Sequence, residues 1–229
     1  GAPAPARPGW HGRRVLVSAG GTREAIDPVR YLGNRSTGKQ GHALAEQAAL
    51  GGADVTLVTT SELASSPNID RHQVTTAAEM AEVVLGAAPS MDVVIMAAAV
   101  ADFTPAEVAD TKLKKADGPP VIELVPTVDI LAELGHTRPS AQVLVGLAAE
   151  TNDVEANAAA KLERKGADLL VVNDVGADGV GFGHDTNEVL ILSRTGDAVR
   201  VSLTDKAMVA QRVLDAAGAL LAERDSTNG

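Results

Sequence analysis

The chain has 229 residues, enough for one well-buried domain, and its 45% hydrophobic content is that of a globular protein, which excludes disorder throughout. A formal net charge of −10 speaks against nucleic acid as a partner, because neutralising a phosphate backbone takes clustered Lys and Arg. The lack of cysteine excludes disulfides, thiolate metal sites and a cysteine nucleophile, and it is compatible with a cytoplasmic location.

Residues 1–12 carry Pro3, Pro5 and Pro8 spaced by Ala and Arg and hold no apolar core of a signal peptide. They read as a linker or remnant, hinting that a longer polypeptide precedes the domain. No apolar run reaches the ~18 residues that a membrane span needs, so no membrane association is expected. Arg13-Arg14-Val15-Leu16-Val17-Ser18 is a β-rich run that stops at Ala19-Gly20-Gly21. Residues 41–50 are Ala-rich and helical, ended by Gly51-Gly52. Asp54-Val55-Thr56-Leu57-Val58-Thr59 is the next strand, residues 80–85 lie in a second helix, and Asp92-Val93-Val94-Ile95-Met96 suits a strand buried on both faces. Further along come a strand at 121–125, a helix at 129–134, a strand at 142–147, a helix at 154–165 and a strand at 168–172. A Gly/Asp-rich loop covers 173–187. Residues 188–193 and 199–203 flank Thr195-Gly196-Asp197 and predict an antiparallel hairpin. Residues 204–223 form a closing amphipathic helix, and 225–229 read as a frayed tail. Strands alternating with helices predict an α/β fold: a Rossmann-like, doubly wound, mainly parallel sheet, with 13–224 as a single domain.

In such a sheet ligands bind at the carboxyl ends of the strands. The residues just past them are mostly small and polar: Gly20-Gly21-Thr22-Arg23, then Thr59-Thr60-Ser61, Ala97-Ala98 through Asp102, residues 148–151, and Asn173-Asp174. Small residues let a phosphate approach backbone N–H groups, which makes Gly20, Gly21 and Thr22 phosphate-loop candidates, although a double glycine is as readily a plain turn. Residues 27–39 place Arg30, Arg35, Lys39, Asn34, Ser36 and Thr37 just before a helix, which suggests an anion site; a solvated loop is the plainer alternative. Gly33 to Lys39 also match seven positions of a P-loop, but Gln40 stands where Ser or Thr would hold Mg²⁺, and the match reads as chance. Glu24 replaces the third glycine of a dinucleotide fingerprint, and Tyr31 is followed four residues later by Arg35, so no Tyr-x-x-x-Lys pair supports hydride chemistry. Downstream of Asp102 runs Lys112-Leu113-Lys114-Lys115, while Lys161 and Lys165 share one helical face. These lysines are either solvated or gathered on a triphosphate as neutralising charges. The five histidines share no ligand spacing, so a structural zinc is not expected.

Taken in order, Ser18-Ala19-Gly20-Gly21-Thr22-Arg23-Glu24, Ile26-Asp27-Pro28-Val29-Arg30-Tyr31, Asn34-Arg35-Ser36-Thr37-Gly38-Lys39, Ala97-Ala98-Ala99-Val100-Ala101-Asp102-Phe103, Lys112-Leu113-Lys114-Lys115, Gly146-Leu147-Ala148-Ala149-Glu150-Thr151, Asn173-Asp174-Val175 and residues 181–187 resemble the phosphopantothenoylcysteine synthetases. The resemblance implies a CTP-dependent carbon–nitrogen ligase of coenzyme A biosynthesis. It would join 4′-phosphopantothenate to cysteine through an acyl-cytidylate, with Mg²⁺ as cofactor. It also implies that Met96, Ala97, Ala98, Asp102, Lys112, Val128, Asp129, Ile130, Leu131, Leu147, Lys161 and Lys165 contact the nucleotide. Asp102 is the implied metal contact, and Lys112, Asn34 and Arg30 the implied catalytic residues. The chain departs from the family pattern at Thr127-Val128, where Asn-Pro is usual, and at Leu147, where Phe is usual; both positions belong to the nucleotide pocket. Such proteins are homodimers with sites completed across the interface, and are commonly joined to an N-terminal flavin decarboxylase domain. An NADP-dependent reductase and a non-catalytic nucleotide-binding dimerisation module are the alternatives.

Overall fold

A computed structural model describes residues 9–150, 154–174 and 186–228. The first strand, β1 (Arg14–Ala19), follows directly from its sequence: after one exposed arginine every residue is buried, as a strand covered on both faces requires. Two three-residue strands follow, β2 (Arg23–Ala25) and β3 (Tyr31–Gly33), paired with each other as an antiparallel ribbon outside the main sheet. Helix α1 (Lys39–Leu50) buries Leu44, Ala45 and Ala48. It lies so close to β1 that a Cβ on Gly41 would stand 2.6 Å from the Ala19 Cβ. Then come β4 (Asp54–Thr59), β5 (Ile69–Gln73), α2 (Ala77–Ala87) and β6 (Val93–Met96). Helix α2 starts at a reciprocal cap in which the Thr76 hydroxyl accepts from the Glu79 amide and the Glu79 carboxylate accepts from the Thr76 amide.

A second small ribbon pairs β7 (Phe103–Pro105) with β8 (Leu124–Pro126). After it run α3 (Ile130–Thr137), β9 (Val143–Glu150), α4 (Val154–Lys165), β10 (Leu169–Asp174), β11 (Thr186–Ser193), β12 (Ala198–Asp205) and α5 (Lys206–Asn228). The main sheet has eight strands in the order β12-β11-β10-β9-β6-β1-β4-β5. Pairing is parallel from β5 through β10, and β11 and β12 add antiparallel strands at one edge. The expected doubly wound sheet and its hairpin are thus both present. The chain reverses direction across the sheet beside β1, between β4 on one side and β6 on the other, which is where such folds open a crevice.

Alternate residues of the strands feed two cores. Val15, Val17 and Ile95 pack with α1 and α5; Leu16, Val94 and Leu144 pack with α2, α3 and α4. Each fully buried Leu, Ile or Val of these layers contributes roughly 1.5–3 kcal/mol relative to exposure. Trp10 is 3% exposed and sits in the first core against α1 and α5, so the expected linker through residue 12 ends earlier: an indole buried in the core belongs to the folded unit. Residues 1–8 lie outside the described part. At the other end, α5 runs through the tail expected to fray, because Asp225 is paired with Arg13. The strand expected at 121–125 lies at Leu124–Pro126 instead, in the β7–β8 ribbon. Among the described residues no helix is long and apolar enough to cross a membrane.

Candidate active site

A cleft of about 760 Å³ opens at the carboxyl ends of β6, β9 and β10, between the two helical layers. One wall is the segment 34–41 with the start of α1, and the floor is the loop after β6, residues 96–102. The opposite wall is residues 127–131, Leu147 and the α4 lysines Lys161 and Lys165, and α5 closes the end with Lys206, Val209 and Val213.

The floor is held from behind. The Ala98 amide donates to Ser18 Oγ at 3.1 Å, the Ala99 amide to the Gly20 oxygen at 2.8 Å, and the Ala101 amide to Thr22 Oγ1 at 2.9 Å. Gly20, Gly21 and Thr22 are therefore buried supports of the floor rather than part of the cleft's lining. The Gly20 oxygen accepts from the Ala99 amide, the Gly21 oxygen from Thr60 Oγ1 and Thr22 Oγ1 from the Ala101 amide, so the phosphate-loop candidates stand behind the cleft. Gly20 is also held at φ 88, which favours glycine.

The segment 34–41 does line the cleft, as the anion-site reading expected. Asn34 turns its side chain onto the floor loop, and Ser61 Oγ donates to the Thr37 oxygen at 3.0 Å. Gly38 precedes α1 at φ 81 without a side-chain cap. The amino end of α1 thus faces the cleft, where its backbone N–H groups and dipole favour an anion.

On the far wall Asp129 caps α3 by accepting from the Ala132 amide at 3.1 Å, and it also accepts from Lys165 Nζ. Burial pushes the Asp129 carboxyl up, but Lys165, the Ala132 amide and Arg164 outweigh it and hold the group below the ordinary carboxylate range. The spacing of Lys161 and Lys165 was also compatible with a plain solvated face; the structure brings both to the cleft, with Met96, Ala97, Ala98, Asp102, Val128, Asp129, Ile130, Leu131 and Leu147.

Arg30 and Lys112 are placed elsewhere. Arg30 is ion-paired with Asp27 at the bend of the β2–β3 ribbon, and Lys112 is an exposed residue of the stretch between β7 and β8; neither lines this cleft. Arg30 first, against the opposing effect of burial, and then the amides of Val29, Leu113 and Arg30 hold the Asp27 carboxyl far below its usual range.

Sequence reasoning did not assign a role to Gln40, Asn187 or Lys206, which line the cleft and form a closed ring. Gln40 Nε2 donates to the Lys206 oxygen at 3.1 Å, Asn187 Nδ2 to Gln40 Oε1 at 3.2 Å, and Lys206 Nζ to Asn187 Oδ1 at 3.1 Å. Only the failed P-loop match had drawn attention to Gln40; a lone lysine after a strand carries no signal. The family-like stretches at Thr151 and at 181–185 lie outside the described residues.

Residues 10–220 match the family described as the DNA/pantothenate metabolism flavoprotein C-terminal domain. The chain belongs to that family. As a DNA/pantothenate metabolism flavoprotein C-terminal domain it is 47% identical, over 223 residues, to the coenzyme A biosynthesis bifunctional protein CoaBC of Mycobacterium bovis, covering 92% of this chain and 53% of the relative. It is 47% identical over 211 residues to the protein of the same name from Bacillus subtilis, covering 91% of this chain and 52% of that one. The chain thus spans about half the length of the curated relatives it matches. The crystal structure of the C-terminal domain of a CoaBC protein is similar to this domain with a TM-score of 0.80 at 38% identity, covering 93% of this chain and 97% of the other.

Proposed function

We propose that the chain is a CTP-dependent phosphopantothenate–cysteine ligase acting in the cytoplasm. In the first step the carboxylate of 4′-phosphopantothenate attacks the α-phosphate of CTP. A carboxylate–phosphate bond forms, the bond to the β-phosphate breaks, and pyrophosphate leaves. The amine of cysteine then attacks the acyl carbon of the resulting acyl-cytidylate, expelling CMP and leaving an amide. A carboxylate is a poor electrophile, so activation as the mixed anhydride supplies the leaving group, and the protein's part is alignment and neutralisation of phosphate charge.

The observation that carries this reading is the cleft itself. In a chain of net charge −10, its lining draws Arg35, Lys39, Lys161, Lys165 and Lys206 together with the amino end of α1. The identity to CoaBC proteins supports the choice of substrates. Met96, Ala97, Ala98, Val128, Ile130, Leu131 and Leu147 would pack along the cytidine, with Lys161 and Lys165 toward the phosphates. Asn34 would handle the acyl-cytidylate, and Arg30 and Lys112 would act in its formation.

Mg²⁺ fits this lining. Among the described residues no cluster of three carboxylate or histidine side chains exists, but exposed Asp102 lines the cleft, and Mg²⁺ binds through one or two carboxylates plus phosphate oxygens. Asp102 would hold the ion, which would neutralise phosphate charge.

The active form is a homodimer. Val29, Tyr31 and Leu32 of the first ribbon region and Phe103, Leu124 and Val125 of the second are exposed, an apolar surface of the kind that marks an interface. Lys112 lies outside its own chain's cleft, and a second copy against the ribbons lets it serve the partner's. A flavin decarboxylase is the other half of the polypeptide in this reading, since the matched relatives are bifunctional and about twice the aligned length.

The test is incubation with CTP, Mg²⁺, 4′-phosphopantothenate and cysteine. Pyrophosphate and CMP release coupled to amide formation is expected; folded protein that releases neither rejects the ligase. Turnover of NADPH instead would establish the reductase alternative.

A further inference from the structure

The Asp27 side chain is fully buried at the bend of the first ribbon. Its Oδ1 accepts the Val29 and Arg30 amides, each at 2.8 Å, and its Oδ2 accepts Arg30 Nε at 2.9 Å as well as Arg30 Nη2. The ion pair then grips a distant residue at both of its backbone polar groups. The Leu113 amide donates to Asp27 Oδ2 at 3.1 Å, and the Leu113 carbonyl oxygen accepts from Arg30 Nη2 at 2.8 Å. A nearby bond from the Ala109 amide to the Ile26 oxygen, 3.0 Å, continues the seam.

Leu113 lies between Lys112 and Lys114, in a stretch with no helix or strand between β7 and a short 3-10 turn at Lys115–Asp117. The lysines themselves are exposed. Without regular hydrogen bonding such a segment has no ladder to hold its register, so a two-point grip on residue 113 places the Cα of Lys112 one peptide away from a fixed point.

We infer that Asp27 is a positioning residue for Lys112, acting through Arg30 and the Leu113 backbone and touching no ligand itself. The catalytic consequence rests on the ligase reading above; the grip on this strap of residues 106–114 does not. A carboxylate is required because it alone accepts from every donor here: an Asn in its place presents N–H groups to donors.

The experiment compares Asp27→Asn, Lys112→Gln and the double variant in the pyrophosphate-release assay, with trypsin cleavage after Lys112, Lys114 and Lys115 followed in parallel. Asp27→Asn is expected to lower turnover on the order of 100-fold, the scale of a misplaced catalytic group, and to speed cleavage in the strap several-fold. The double variant is expected to be no slower than Lys112→Gln, because a displaced lysine has nothing left to lose. Losses that multiply in the double variant overturn the proposal, since a merely structural role would give independent effects. If Asp27→Asn does not fold, Leu113→Pro removes the gripped amide and leaves the ion pair. It must reproduce the lower turnover and the faster cleavage, the latter read after Lys114 and Lys115 alone because trypsin does not cut a lysine–proline bond, and normal values of either overturn the proposal. Wild-type chain that releases no pyrophosphate overturns the ligase reading and Lys112's role with it, whereas unchanged cleavage in an active enzyme overturns the grip alone.

Discussion

Asn34 donates its side-chain amide to the carbonyl oxygens of Ala99 and Val100, at 3.3 and 3.1 Å, and so fastens the wall of the cleft to its floor. Asn34→Asp would aim a carboxylate at two carbonyl oxygens, replacing two attractions by repulsion. Cysteine-dependent product formation is expected to fall on the order of 100-fold while thermal unfolding stays cooperative. Near-normal turnover would remove Asn34 from the site.

Lys165 tests the phosphate wall. Lys165→Met keeps the aliphatic stem against the wall and deletes the charge. Calorimetric titration is expected to show about tenfold weaker binding of CTP, a loss of about 1.4 kcal/mol, with cytidine binding unchanged. Parallel loss of both ligands would show that the residue shapes the base pocket instead.

Gly135 reaches the same lysine from outside the cleft. A Cβ there would stand 2.0 Å from the Lys165 carbonyl oxygen, which is backbone and cannot swing aside. Gly135→Ala is expected to push α3 and α4 apart at that end, costing about 1–3 kcal/mol by overpacking and weakening CTP binding as well. Denaturant unfolding together with titration reads both effects, and wild-type values in either would contradict the packing argument.

Acid stability should centre on Asp168. Burial raises its carboxyl pKa, but Arg138, the Leu144 amide and Arg224 outweigh burial and bring it below its ordinary 3.8. A depressed folded-state pKa stabilises the protein above the unfolded value, and that contribution is lost as pH falls from about 3.8 toward the lower folded value. Asp168→Asn leaves Arg138, with its side chain only 10% exposed, short of its counter-charge. The expected cost at neutral pH is about 3–5 kcal/mol, with a flatter stability profile below pH 4, measured by urea unfolding across pH.

Light scattering tests the dimer. The wild type is expected at twice the chain mass. Phe103→Glu combined with Val125→Glu, both on the exposed second ribbon, should give monomers that still bind CTP but turn over poorly. A wild-type monomer with full activity would refute sites shared between copies.

The main sheet was legible in the sequence wherever burial is two-sided, because Val15-Leu16-Val17 and Val93-Val94-Ile95 leave no polar face to confuse the pattern. Edge strand β5 was not: of its five residues only Ile69 is buried, so its sequence resembles a loop. The first short ribbon was missed in the same way, since Tyr31-Leu32-Gly33 is exposed throughout and pairs without any buried face. Within the site, helical spacing put Lys161 and Lys165 on one face but left a solvated face as the plainer reading, so only the family resemblance assigned them to the nucleotide, whereas residues 97–102 were marked by their position after a strand. The Gln40–Asn187–Lys206 ring joins residues more than 140 positions apart, and no local pattern announces such a meeting. The grip of Asp27 on Leu113, 86 positions away, is equally non-local.

Trp10 lies against Gly51 beyond α1 and against Gly218 in α5, and Arg13 meets Asp225 nearby, at the amino ends of the parallel strands. The ligand crevice is at the other pole. A domain joined ahead of Trp10 would therefore emerge at the pole away from the cleft and leave its mouth uncovered.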